Sequence, residues 1–303
     1  MDNYLISIVG ATAIGKTSLS IEIAQHFNTE IISSDSRQFY NEMTIGTAVP
    51  SEDEIAQATH HFIQNRSVFD DYNVGQFEKD AIQKLNELFA ENQVVVMVGG
   101  SGLYVDAVLK GLDNFPQVDK SIRKELKLRL EKEGVESLHV QLKELDAETF
   151  EKIDIDNHQR VIRALEICIG TGTTYASFLT DKTADRNFIP IKIGLTAERE
   201  IIYDRINKRV DLMMKNGLLN EAENLFQYKN LNALQTVGYK ELFQYFEGNF
   251  DVNIAVSEIK KNTRRFAKRQ GTWFRKDKDI KWFDFEEPRE QIIQYIENSV
   301  NNK

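Results

Sequence analysis

Eight residues near the N-terminus constrain this chain more than any other stretch. Gly10-Ala11-Thr12-Ala13-Ile14-Gly15-Lys16-Thr17 match the pattern G-x-x-x-x-G-K-[ST]. Ahead of them, Tyr4–Val9 is a short apolar run rich in Ile that reads as a buried strand. Behind them, Leu19, Ile23 and Phe27 recur at four-residue spacing, the signature of a helix. A strand, a glycine loop and a helix in that order aim backbone amides and the positive end of a helix dipole at one spot, which suits phosphate oxygens. All eight residues, Gly10 to Thr17, are therefore candidates to bind a diphosphate. Lys16 is placed to neutralise the outer phosphate, and the Thr17 hydroxyl to ligate Mg²⁺.

Other apolar runs extend the pattern. Glu30–Ser33, Val94–Val98 and Pro190–Leu195 read as further buried strands, separated by helical stretches. Strands alternating with helices predict a parallel sheet covered on both faces. Between Pro116 and about Asn187 the chain changes to polar, charged helices with few strand signals, and after Thr196 it is almost wholly helical to Lys281. The expectation is an α/β, P-loop NTPase-like parallel sheet flanked by helices, with an α-helical insertion domain. Residues 1–115 and 188–303 form the core, and residues 116–187 the insertion.

Composition excludes several classes. The single cysteine, Cys168, rules out an internal disulfide and a cysteine-based zinc cluster, and its apolar surroundings mark it as a small core residue. MDNYLISIVG lacks the basic flank and long apolar core of a signal peptide. No stretch reaches the roughly 18 apolar residues of a membrane span, so the cytoplasm is the expected setting. A net charge of −9 argues against non-specific coating of nucleic acid, but the sum hides a local excess. Ten Lys or Arg residues crowd into Lys260–Lys281 against two acids.

A phosphate loop does not by itself mean hydrolysis. Most such hydrolases end a neighbouring apolar strand in an acid that holds Mg²⁺ and its water. Here Val94–Val98 runs into Gly99-Gly100-Ser101-Gly102. The loop is thus expected to grip phosphates that leave as a unit. The one strand-end acid is Asp35, after Glu30–Ser33, where strand C-termini line the ligand crevice. It suits proton acceptance or Mg²⁺ binding, and Ser34-Asp35-Ser36 equally suits a helix N-cap. Arg205 and Arg209, at helical spacing after the Pro190–Leu195 strand, are candidates to reach the diphosphate. His60 and His61 have no third ligand close in sequence, which favours a structural role.

Taken together, the segments resemble the tRNA dimethylallyltransferase (tRNA isopentenyltransferase) family. The resemblance rests on GATAIGKT, DSRQFY (35–40), GTAVP (46–50), HHF (60–62) and GGSGLYVDAVLKGL (99–112), then QRVIRALE (159–166), TVGYKEL (236–242) and TRRFAKRQGTWFR (263–275), in the family's order. Departures are Ala11 for Pro, Val49 for Lys, Ser101 for Thr, and Asp154-Ile155 for a His-Pro pair. The resemblance implies transfer of the dimethylallyl group from dimethylallyl diphosphate to N6 of the adenosine 3′ of the anticodon, with Mg²⁺ as cofactor. It implies that the adenine is flipped out of its stack.

On that reading Asp35 orients the amine and takes its proton, while Lys16, Thr17 and Arg209 stabilise the departing diphosphate. Ser101 bonds the base or a phosphate. The anticodon stem-loop is held by Asp35, Ser36, Arg37, Gln38, Ser101, Arg123, Gln159, Arg160, Val161, Ile162 and Arg163. Arg264, Arg265, Lys268 and Arg269 join them, since cations interleaved with Phe266, Trp273 and Phe274 suit RNA. The same aromatics equally suit a core-facing stripe, and Arg160 and Arg163, three apart on one helix face, apart from the resemblance suit surface pairing with Glu166 or Asp156 better. No membrane partner is expected, and a monomer is the working expectation. The rival readings are a P-loop small-molecule kinase, an enzyme that prenylates free adenine nucleotides, and a non-catalytic RNA-binding protein.

Overall fold

The computed structural model describes residues 2–180 and 183–301. Six strands form one sheet: β1 (Tyr4–Gly10), β2 (Ile31–Ser33), β3 (His60–His61), β4 (Val94–Val98), β5 (Ile189–Thr196) and β6 (Lys281–Asp284). They lie in the order β3-β2-β4-β1-β5-β6, and every pairing is parallel. Parallel neighbours need crossovers, supplied here first by α1 (Lys16–His26), α2 (Glu52–Gln57), α3 (Val74–Leu88) and α4 (Gly102–Lys110). Every residue of β1 and β4 is buried, as a central strand covered on both faces requires.

The two faces divide the apolar residues by parity. Tyr4, Ile6 and Ile8 share one cluster with Val94, Val96 and Val98 and with Leu19 and Ile23 of α1. Leu5 and Val9 share the other with Val95, Met97, Phe77 and Leu85 of α3, and Val105 and Val108 of α4. Sequence reading missed β3 and β6. Both are short edge strands with half-buried or exposed residues, so neither carries the continuous apolar run that marked the inner strands.

The described chain divides into two compact units: Met1–Lys110 with Asp185–Lys303, and Gly111–Ala184. The second unit holds α5 (Lys120–Glu133), α6 (Val135–Leu145), α7 (Ala147–Lys152) and α8 (His158–Thr171). They close over a small core of Leu126, Leu138, Leu142, Val161, Ile162, Ala164 and Leu165. In the first unit the chain continues as α9 (Arg199–Lys215), α10 (Leu218–Leu225), α11 (Tyr239–Phe246), α12 (Val252–Phe274) and, after β6, α13 (Arg289–Asn301). Ile292 and Ile296 of α13 cap the α1 face of the sheet. Helices α9 to α12 build a core of their own around Val210, Leu218, Leu234, Tyr239, Leu242 and Ile259. The 23-residue α12 is the longest element, opened by Asp251, whose carboxylate accepts from the Asn253 and Ile254 amides.

Cys168 is a free, buried thiol, as its apolar setting suggested. His61 pairs with Glu30, and the His60 ring bonds the Ala58 carbonyl at 2.7 Å, which are structural roles. No described helix is long and apolar enough to cross a membrane.

Candidate active site

The phosphate-type loop bridges β1 and α1 at the C-terminal edge of the sheet. Gly10 has φ 145°, and a Cβ there would stand 2.6 Å from the Leu195 carbonyl of β5, so only glycine fits. Ala13 also takes a positive φ of 65°, a conformation costing of order 1 kcal/mol for a residue with a Cβ. Packing holds it there. Ala11 and Ala13 press against Ile206 of α9 and Ala267 of α12. Helix α1 starts at Gly15 with no side-chain cap and no acid in its first turn, leaving its positive end facing the loop.

Lys16 folds back over this loop, its Nζ donating to the Gly10 and Ala11 carbonyls at 3.1 and 2.8 Å. Burial pulls its pKa down to about 8; Asp35 raises it and Arg209 lowers it further. Arg209 lies above the loop, with Nη1 at 3.4 Å from the Thr12 hydroxyl, and its own pKa is lowered by burial and by Arg205. Arg205 donates through Nε to the Ala13 carbonyl at 2.7 Å and stacks on Phe285. Three cations therefore converge on one loop, and Asp35 is the acid whose charge reaches both Lys16 and Arg209.

Asp35 is not a helix N-cap. It follows β2 in a turn, with its Oδ1 accepting from the Arg37 amide at 3.0 Å. Ser101, just past β4, reaches across: its Oγ accepts from the Ser36 amide at 3.0 Å and donates to the Ser36 hydroxyl at 3.1 Å. The adjacent strand ends thus form a shelf carrying Asp35. Gln38 ties the shelf to the following loop through the Thr47 and Ala48 carbonyls, at 3.3 and 2.9 Å. Arg37 donates to the Asn232 carbonyl at 3.2 Å.

Sequence reasoning missed several supports. Glu221 of α10 accepts from three successive amides, Thr44, Ile45 and Gly46, at 2.8–3.0 Å, and from the Tyr239 hydroxyl at 2.6 Å. Gln270 of α12 accepts from the Thr12 amide and donates to the Gly100 carbonyl, both at 2.9 Å. Tyr104 packs on Phe39 and Phe77 beside the shelf, and burial, with Tyr40 next, pushes its hydroxyl up to about 12. None of these links was visible in spacing, because each partner lies far away in sequence.

The basic segment sorts by face. Arg265, Phe266, Lys268 and Arg269 are exposed on α12, with Arg269 over the Phe266 ring. Arg264 bonds Asn207 at 2.7 Å. Phe274 is core, and Trp273 donates its indole N–H to Asp106 at 2.9 Å. Of the three aromatics of this segment, Phe266 is the exposed one.

In the helical unit, α8 presents Gln159 and Arg160 to solvent, while Arg123 and Arg163 both pair with the buried Glu166 at 2.9 and 3.1 Å. Arg123 also bonds Gln159, and Arg163 stacks on Phe115. Val161 and Ile162 correct the expectation. Both are 0% exposed in the core of that unit, so their side chains pack the helix and are not on its surface.

Residues 38–277 match the family model described as IPP transferase. The chain is 62% identical over 301 residues to a tRNA dimethylallyltransferase of Christiangramia forsetii, covering 99% of this chain and 100% of that one. It is 57% identical over 305 residues to a tRNA dimethylallyltransferase of Flavobacterium johnsoniae, covering 99% of each. Among solved structures, the full-length tRNA isopentenylpyrophosphate transferase of Bacillus halodurans is 36% identical, spans 99% of this chain and 96% of that one, and superposes with a TM-score of 0.73. A glycine loop gathering three cations, faced by one strand-end carboxylate, therefore sits in a chain that belongs to the IPP transferase family.

Proposed function

We propose that this chain transfers the dimethylallyl group of dimethylallyl diphosphate to N6 of the adenosine 3′ of the anticodon in tRNA, releasing diphosphate. The observation that carries the reading is the gathering of Lys16, Arg205 and Arg209 on the glycine loop, at the same edge of the parallel sheet to which β2 delivers Asp35. A leaving-group cradle and a proton acceptor are then carried by strand ends of one parallel sheet. The N6 lone pair forms the bond to C1 of the prenyl group, and the C1–O bond breaks with its electron pair leaving on the diphosphate. The N6 proton passes to the Asp35 carboxylate. Charge grows on the diphosphate as that bond breaks, so Lys16, Arg209 and the α1 amides favour the transition state over the ground state.

A Mg²⁺ fits the donor set. The Thr17 hydroxyl sits in the first turn of α1, and no group of three or more His, Cys, Asp or Glu residues is gathered among the described residues. Mg²⁺ needs no such cage, because it is commonly held by one or two protein oxygens together with phosphates and water. Thr17 would hold it, and the ion would supply further positive charge to the diphosphate. For the RNA, Arg265, Lys268 and Arg269 offer phosphate contacts, Phe266 a stacking face, and Asp35–Gln38 with Ser101 the base-side contacts; the helical unit offers Arg123, Gln159, Arg160 and Arg163 as contacts of its own. A cytoplasmic setting fits a tRNA substrate.

The test is direct. Incubation with dimethylallyl diphosphate, Mg²⁺ and an unmodified anticodon stem-loop should add one prenyl group to the target adenosine, read by nucleoside mass spectrometry. AMP should compete poorly. Phosphate transfer from ATP to a small acceptor, with no prenylated adenosine, would replace this reading with the kinase.

A further inference from the structure

Gln270 is 6% exposed, yet its neighbours along α12 include the exposed cations Lys268 and Arg269. A buried primary amide is costly unless both ends are satisfied, and here both are. Its orientation is forced. The Thr12 amide can only donate and the Gly100 carbonyl can only accept, so Oε1 must face the loop and Nε2 the end of β4. Gly100 makes room for it: a Cβ there would stand 2.3 Å from Gln270 Nε2. No positive φ is recorded at Gly100, so the missing side chain serves close approach and not backbone freedom.

The next residue completes a continuous link. Thr12 bonds Gln270, Gln270 bonds Gly100, and Ser101 bonds Ser36 next to Asp35. We propose that Gln270 is a positioning residue that sets the separation between the diphosphate cradle and the Asp35–Ser101 shelf, from the same helix that carries the RNA-facing cations. This rests on the function proposed above. Displacement of an amine onto an ionising carbon depends steeply on that separation, because reacting atoms must meet at near-attack distance before the bond breaks. Gln270 touches neither reacting atom. It acts through the loop amide of Thr12 and the carbonyl of Gly100.

Two variants approach the bridge from opposite ends. Gln270→Met keeps length and apolar packing but removes both hydrogen bonds. Gly100→Ala leaves α12 unaltered and pushes the amide out of its slot, so it keeps the question open to test if Gln270→Met melts early. Steady-state kinetics with dimethylallyl diphosphate and an anticodon stem-loop should show kcat falling roughly tenfold in each, the size of one or two buried hydrogen bonds. The KM for each substrate should stay within about twofold, because the binding groups remain. The double variant should be no slower than the slower single, since both remove one bridge. Unchanged kcat, a change in KM alone, or losses that multiply in the double variant each overturn the proposal while leaving the transferase reading intact. An inactive wild type would overturn that reading and this one with it.

Discussion

Lys16 offers the sharpest quantitative test. Burial lowers its pKa to about 8 from the ordinary 10.5. A bound diphosphate places negative charge on the same ammonium and so drives the pKa back up. Binding in alkaline solution must then take up a proton. At pH 9 roughly a tenth of free enzyme carries a charged Lys16, so apparent affinity should fall about tenfold from its value at pH 7, equivalent to about 1.4 kcal/mol. An alkyl diphosphate is a suitable probe, because a phosphate ester with a second pKa near 6 is already ionised across this range. Isothermal titration between pH 7 and 9.5 gives the slope, and repeating it in buffers of different ionisation enthalpy counts the protons.

Stability should move in the opposite direction. The folded pKa of Lys16 lies below its unfolded value, so the unfolded chain binds more protons between about 8 and 10.5. Free protein therefore gains stability relative to a Lys16→Met variant as pH rises through that window, and lacks that gain below it. Affinity that is flat from pH 7 to 9.5, or that falls equally in Lys16→Met, would refute the argument by showing that Lys16 is not the titrating group.

Three further outcomes follow from named contacts. Asp35→Asn keeps an oxygen for the Arg37 amide but loses the proton acceptor, so kcat should drop by about 10²–10⁴ with stem-loop affinity nearly unchanged in a filter-binding assay. Glu221→Ala strands three loop amides and the Tyr239 hydroxyl, and chemical denaturation should show a loss of about 2–4 kcal/mol. Replacing Lys268 and Arg269 together by Ala should lower the slope of log affinity against log salt by about 1.4, two charges at roughly 0.7 each, while kcat at saturating RNA holds.

Legibility in the sequence followed the range of the interaction. The loop from Gly10 to Thr17 was readable because strand, glycine turn and helix are contiguous, and Asp35 because a parallel sheet sends its strand ends to one edge. Gln270 was not, since its two partners lie 258 and 170 positions away and an isolated Gln in a basic helix looks like a solvated residue. Glu221 hid for the same reason, its three amides lying 175–177 positions upstream.

Val161 and Ile162 show a different failure. They were assigned to RNA as part of a contiguous block, yet helical period separates them from their neighbours: Val161, Ile162 and Leu165 turn into the core, while Gln159 and Arg160 face solvent. A motif written as consecutive letters mixes side chains that touch a ligand with side chains that hold the helix up. The same division runs through α12, where Ala267, Gln270 and Phe274 face inward and Arg265, Lys268 and Arg269 outward. In that helix the inward set does more than fill space. One of its members grips the phosphate loop, so the periodicity that conceals a residue from a motif reading is also what carries it to the site.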